Sequence, residues 1–268
     1  MKGQNAMKTT GYILQDGGKI YYEMSGNPDG QPLLMMHGGL GCSDDMEVMM
    51  PWLSAAYLML RIDFRGHGHS TLGDVPLSYA QYQKDVEAVL AHLNIHQYVV
   101  FGFSDGGTVG YRLAIVHPEQ VQRLITLGAQ WRLEKDDSSI EMLKGLTAEM
   151  WLQRYPDDVD KYNIYNPDPD FKRLVSQVKA LWLDRSAAGY PYQSVEYIQC
   201  PTLVMHGEND FLFSLDEAVE LYHHIPDCHF ANIPLTAHAA HQEAPGLVGT
   251  MLNDFLLADL SGTDRFCD

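Results

Sequence analysis

The chain reads as an α/β protein: a mostly parallel sheet covered by helices on both faces, with a helical cap inserted between two of its strands. Three observations lead there. Short apolar runs alternate with helix-patterned segments along most of the sequence. Runs such as Leu33-Leu34-Met35-Met36 and Val99-Val100-Phe101 are continuously apolar, as strands are when both of their faces are buried. Between Ala129 and Gln199 that rhythm stops for roughly 70 residues of helical patterns and loops, too long for an ordinary crossover.

The 268 residues are 46% hydrophobic, enough for a large core in one α/β domain and too apolar for a disordered chain. The expected boundaries are a core over residues 9–129 and 200–260, with the cap over 130–199. Lys plus Arg is 18 against 35 Asp plus Glu, a net charge of −17, which repels phosphate backbones and makes nucleic acid an unexpected partner. No run approaches the roughly 20 apolar residues of a membrane span, so no membrane partner is expected either. The first eight residues lack the apolar core of a signal peptide. Cys42, Cys200, Cys228 and Cys267 share no short spacing and read as reduced thiols, so a cytoplasmic location is expected.

Taken in order, Thr10–Leu14 and Lys19–Met24 flank the turn Asp16-Gly17-Gly18 and predict a β-hairpin. Pro32–Met36 and Tyr57–Asp63 are the next strands. Ser78 with Gln81 three residues on forms a capping box for a helix whose apolar face is Tyr82, Val86, Val89, Leu90 and Leu93. Asp85 and Glu87 on that helix read as a solvated face. Tyr98–Phe103 is a buried strand, followed by a helix from Gly107 to His117. Val121–Leu127, Pro201–Met205 and His229–Ile233 complete the sheet. In the cap, Ile140–Trp151 and Asp170–Leu183 read as helices. The sequence carries no internal repeat.

The chemistry starts at Gly102-Phe103-Ser104-Asp105-Gly106-Gly107, a Gly-x-Ser-x-Gly pattern between a buried strand and a helix. A serine on so tight a turn is exposed at the carboxyl end of the sheet, and the glycines relieve backbone crowding. The amides that follow point at a developing oxyanion. A serine hydroxyl needs a base. Of the 12 histidines, His238 sits at the exit of the last strand, where a loop can reach Ser104; His241, one helical turn on, is expected to face the cap or solvent. The base needs a carboxylate to hold its tautomer. Asp210 follows the strand Pro201–Met205 and is the choice, with Glu208 the competitor.

These residues resemble the α/β-hydrolase superfamily over nearly the whole chain, and the order Ser104, Asp210, His238 is that family's triad order. Arg65-Gly66-His67-Gly68-His69-Ser70 is similar to its Arg-Gly-x-Gly-x-Ser loop, and His238 to Pro245 to its His-x4-Glu-x-Pro ending. His37-Gly38-Gly39 resembles its oxyanion loop, which implies that the N–H groups of Gly39 and Asp105 form an oxyanion hole. Ser104-Asp105-Gly106-Gly107, Gly128-Ala129 and Gln199-Cys200-Pro201 resemble the biphenyl hydrolase-like (valacyclovir hydrolase) subgroup. That resemblance implies that Asp105 can bind a substrate's amino group, with α-amino-acid esters as possible substrates. The alternative for Asp105 is a structural hydrogen bond.

The expected function is a serine hydrolase that cleaves carboxylic esters of small molecules through an acyl-enzyme, with no cofactor and no metal. Asp105, Leu40, Trp131 and Trp151 are the expected substrate contacts, and Trp131, Trp151 and Trp182 each read as pocket roof or as cap-to-core packing. His223-His224 with Cys228-His229 has the wrong spacing for zinc, and Cys42 reads as a buried filler. Two alternatives stand beside the esterase: a carbon–carbon bond hydrolase of meta-cleavage products with the same triad, and a ligand-binding member of the fold without turnover.

Overall fold

The computed structural model describes residues 7–260, apart from 54, 136 and 138. Residues 1–6 and Cys267 lie outside that range. The hairpin strands β1 (Met7–Gln15) and β2 (Gly18–Gly26) pair antiparallel across Asp16 and Gly17, both at positive φ. They extend an otherwise parallel sheet made of β3 (Gln31–Met36), β4 (Tyr57–Ile62), β5 (Tyr98–Phe103), β6 (Val121–Leu127), β7 (Thr202–Gly207) and β8 (Cys228–Ile233). The spatial order is β1-β2-β4-β3-β5-β6-β7-β8, with β2 antiparallel to β4.

The apolar runs are explained by period-two alternation between two buried layers. Leu34, Met36, Val100, Leu124 and Val204 point into one cluster; Leu33, Met35, Val99, Phe101, Ile125, Leu203 and Met205 point into the other. Helices α1 (Tyr79–His92) and α2 (Asp105–Val116), with α7 (Leu215–His224), cover the first face. On the second lie the 3-10 helix Ser43–Trp52 and α9 (Pro245–Leu257), through Met46, Met49, Val248, Leu252 and Phe255. Asp85 does not face solvent. It is 1% exposed and holds Arg65 by both carboxylate oxygens, at 2.6 and 2.9 Å. Arg65 also donates to the Gln15 carbonyl at 2.6 Å, so the buried pair fastens the hairpin turn to the loop after β4.

Between β6 and β7 lie four helices: α3 (Ser139–Gly145), α4 (Ala148–Arg154), α5 (Pro156–Tyr165) and α6 (Phe171–Trp182). The single helix expected over Ile140–Trp151 is two. Gly145 ends the first, and the Thr147 hydroxyl caps the second by accepting from the Met150 N–H. Helix α5 rests on the core through polar contacts: Lys161 to Asp45 at 2.9 Å and the Tyr165 hydroxyl to Asp44 at 2.9 Å. The amide of Asn166 reaches the carbonyls of Gly66, Gly68 and Ser70.

Strand order places the site. From β3 the chain runs to β4 on one side, and from β5 to β6 on the other, so their carboxyl-end loops part and leave a crevice. The segments His37–Gly41 and Ser104–Asp105 flank it.

Candidate active site

At the end of β5, Ser104 has φ 51° and ψ −117°, a conformation that non-glycine residues rarely hold and that marks functional turns. The turn needs its glycines. A Cβ on Gly102 would strike the Gly106 carbonyl, and one on Gly106 would strike the Met36 carbonyl of β3. With the Ser104 N–H donating to the Leu127 carbonyl at 2.9 Å and the Gly106 N–H to the His37 carbonyl at 3.1 Å, the elbow is tied to both neighbouring strands.

The Nε2 of His238 lies 3.1 Å from the Ser104 Oγ, and its Nδ1 lies 2.8 Å from Asp210 Oδ2. A ring nitrogen beside a carboxylate carries the proton, which leaves Nε2 as the acceptor for the serine hydroxyl. The Asp210 carboxylate is fully buried, and its Oδ1 also accepts the N–H groups of Leu212 and Phe213 at 2.9 and 3.1 Å. The turn after β7 thus builds its own carboxylate socket. Glu208 is exposed and instead accepts the Leu235 N–H at 2.7 Å. Glu243, on α8 (Ala240–Glu243), accepts the Ala237 N–H at 2.8 Å and so closes the loop that carries His238.

His241 is corrected by the structure. It faces neither cap nor solvent but is fully buried against Phe103, ring centroids 4.4 Å apart. Burial pulls its pKa down to about 4, which keeps it neutral. On the oxyanion loop, His37 accepts the Phe64 N–H on Nε2 at 3.0 Å, and its Nδ1 is 2.7 Å from the Gly38 carbonyl. That ring bridges the loops after β3 and β4. Among the described residues, the N–H groups of Gly39 and Asp105 have no protein acceptor.

Asp105 is 3% exposed, yet its two oxygens differ. Oδ1 accepts from the Tyr79 hydroxyl and from the Trp182 indole N–H, both at 2.8 Å. Oδ2 has no protein partner and lies beside Gly39, where a Cβ would sit 2.6 Å from it. Burial pushes the carboxyl pKa up, against the opposing pull of the Tyr79 and Trp182 bonds. The elbow motif marks Asp105, but nothing in it marks Tyr79 or Trp182 as its clamps.

Ser104, Asp105 and His238 line one cavity with Leu143, Trp182 and Leu212. Its volume is about 30 Å³, far below the several hundred Å³ of a typical small-molecule site, and the cap supplies Leu143 and Trp182 to its wall. Three expected substrate contacts are corrected here. Trp131 is fully buried, with its indole N–H on the Glu217 carbonyl at 3.3 Å and its ring against His224. Trp151 packs on Tyr155 within the cap, centroids 4.8 Å apart, and does not line the cavity. Leu40, at φ 61°, borders a separate small cavity next to Lys161 and Tyr165. The large side chains at the cavity beside Ser104 and His238 are instead Trp182, Tyr79, Leu143 and Leu212.

A serine hydroxyl, an imidazole and a carboxylate are thus aligned in a chain of contacts that starts at the strand–turn–helix elbow. The family model for the alpha/beta hydrolase fold matches residues 31–190. The chain belongs to the α/β-hydrolase fold family. Its relatives are named for hydrolase activities. A Streptomyces coelicolor protein named for proline iminopeptidase activity is 29% identical over 66% of this chain and 59% of its own length. A Haemophilus influenzae protein named for esterase or lipase activity is 25% identical over 84% of this chain and 82% of its own. The match therefore spans less than two thirds of the Streptomyces relative. Among solved structures, the enol-lactonase of Burkholderia xenovorans LB400 superposes with a TM-score of 0.75 at 19% identity, covering 92% of this chain and all of that one. The meta-cleavage product hydrolase of Pseudomonas fluorescens IP01 superposes with a TM-score of 0.76 at 17% identity over 92% and 97%. At such identities the structural likeness shows the shared fold. The relatives span several activities and single out no subgroup of this α/β-hydrolase. No helix among its described residues is long and apolar enough to cross a membrane.

Proposed function

We propose that this hydrolase cleaves carboxylic esters of small molecules by nucleophilic catalysis. The observation that carries the reading is the pair of contacts on one imidazole: Ser104 Oγ at 3.1 Å from Nε2 and Asp210 Oδ2 at 2.8 Å from Nδ1. Ser104 Oγ attacks the ester carbonyl carbon while His238 Nε2 takes its proton, and Asp210 holds the imidazolium. The tetrahedral oxygen is stabilised by the N–H groups of Gly39 and Asp105, each such donor contributing about 3 kcal/mol. Collapse expels the alkoxide, which His238 protonates, and leaves Ser104 acylated. Water, deprotonated by the same imidazole, attacks the acyl carbon and releases the acid and free Ser104. No cofactor or metal enters these steps.

A finer reading is favoured by one specific feature, the unpartnered Oδ2 of Asp105 in the catalytic cavity. A buried carboxylate oxygen without a donor suits a cationic group. A substrate ammonium there would place an α-amino-acid ester over Ser104, in line with the resemblance to the biphenyl hydrolase-like subgroup. Relatives named for proline iminopeptidase activity act, by that name, next to an imino nitrogen.

The test compares a short neutral ester with a free-amine valine ester in wild type and Ser104→Ala. Cleavage of esters that vanishes in Ser104→Ala supports the esterase, and a preference for the amine ester that Asp105→Asn abolishes supports the finer reading. With no ester cleaved above the Ser104→Ala background, the esterase reading falls. Turnover of a vinylogous diketo acid would then make the enzyme a carbon–carbon hydrolase, and binding without turnover would make it a ligand-binding member of the fold.

A further inference from the structure

The largest cavity described, about 370 Å³, is not the catalytic one. It is an open groove at the far end of α2 from Ser104, walled by the last turns of that helix and by the segment 185–194 that leads out of the cap. Its lining carries two guanidinium groups, Arg112 and Arg185, and no carboxylate, in a chain of net charge −17.

Arg112 is held like a recognition residue. Its Nε donates to Gln83 Oε1 at 3.0 Å, and its Nη1 to the carbonyls of Gly189 and Ala187 at 2.9 and 3.3 Å. These acceptors are neutral, and Nη2 has no protein acceptor among the described residues. The carboxylates nearby are engaged elsewhere. Glu87 takes Gln83 Nε2 at 2.7 Å and His117 at 2.8 Å, and Asp184 takes the Ser186 N–H and hydroxyl at 2.8 and 3.0 Å. Burial draws the Arg112 pKa below its ordinary value, against the weaker opposing pull of the Glu87 carboxylate, which makes no direct contact with the guanidinium. Arg185, exposed on the opposite wall, makes no ion pair among the described residues.

The same lining brings apolar and aromatic side chains, beside the polar Gln83, Ser186 and Ser194. Ile115 and Val116 stand on the helix side, with Tyr190 and Tyr192 on the other. A partly buried, pre-oriented guanidinium with two free N–H bonds, a second guanidinium in the same groove and apolar and aromatic side chains beside them are complementary to a planar carboxylate on an apolar body.

We propose that this groove is an accessory binding site for a small organic carboxylate with an apolar or aromatic body, gripped by Arg112 and Arg185. The bound molecule would touch Tyr190, whose ring packs against Tyr79 at 5.0 Å and whose hydroxyl donates to the Trp182 carbonyl at 3.0 Å. Those are the two residues that clamp Asp105, so occupancy reaches the catalytic cavity through one side chain.

Benzoate is the probe, titrated into the full chain by calorimetry, with inorganic phosphate as the comparison anion. Saturable benzoate binding, weaker by about tenfold or more in Arg185→Gln and in Arg112→Gln, is expected for a charge-assisted grip. Arg185 lies outside the cavity of Ser104 and His238, so weaker binding in Arg185→Gln separates this site from that one whatever the fate of the esterase reading. Arg185 is exposed, so Arg185→Gln folds and decides the matter should Arg112→Gln not fold. Absent binding, unchanged binding in Arg185→Gln, or phosphate bound as tightly as benzoate overturns the proposal.

Discussion

The indole N–H of Trp182, the last residue of α6, donates to Asp105 Oδ1 at 2.8 Å. A residue from between β6 and β7 thereby holds the side chain that follows Ser104, and the same indole walls the cavity that Ser104 and His238 line. Cap position and catalytic-site geometry are therefore one variable. Trp182→Phe keeps the ring and removes the donor. The expected result is a rise in KM of about tenfold or more with a smaller change in kcat, because a lost neutral donor to a charged acceptor costs roughly 1.5–3 kcal/mol. Steady-state kinetics on the preferred ester measures the split, and an unchanged KM would show that the bond does not organise the pocket.

Asp210→Asn leaves the loop in place but offers His238 the wrong hydrogen-bonding partner. By comparison with other triads, kcat should fall by about 10⁴-fold with KM nearly unchanged. Asp210 Oδ1 also holds two backbone N–H groups that the amide oxygen can still accept, so the thermal midpoint should move little. Burst kinetics and a melting curve on the same preparation check both parts.

Gly39→Ala would place a Cβ 2.6 Å from Asp105 Oδ2 and 2.5 Å from the Trp182 ring. The loop that presents the Gly39 N–H must shift. A misplaced donor costs about 10²–10³-fold in kcat. Wild-type turnover in this variant would remove Gly39 from the proposed oxyanion hole.

Glu217 on α7 is 3% exposed, with Oε1 unpartnered, and burial raises its pKa to about 8. Between the ordinary value of 4.5 and about 8, the folded state keeps this proton while the unfolded chain gives it up. Stability from this group is therefore present at low pH and lost as pH rises through that window, at up to roughly 1.4 kcal/mol per pH unit. Glu217→Gln carries no charge to bury, so it should gain stability over wild type at pH 8 and little at pH 5. Denaturant unfolding at the two pH values reads the difference; equal gains at both would point to packing instead.

For His241 the sign is opposite. Its pKa is lowered to about 4, so between 6.5 and about 4 the unfolded state binds a proton that the native state refuses. Stability is lost as pH falls through that window. His241→Phe, against the ring of Phe103, should flatten the acid side of the stability profile measured by thermal unfolding from pH 4 to 7.

Much of the site could be read along the chain. Contiguous apolar strands are legible because burial on both faces leaves no polar position. The elbow is legible because a serine held at φ 51° requires glycines within two residues of it. Ser104, Asp210 and His238 each stand just after a strand of a parallel sheet, and parallel strands deliver their carboxyl ends to one edge. Tertiary structure decided what side chains do across large separations. Tyr79 and Trp182 meet Asp105 from 26 and 77 residues away. Asp85 lies in an apparently polar helical face until Arg65 makes it an interior residue. Trp131, beside the cap, was equally fit to line a pocket or fill the core, and the Glu217 carbonyl takes it into the core. Local periodicity governs backbone and exposure, which are short-range properties; a partner 77 residues distant is set only when packed layers bring the two surfaces together.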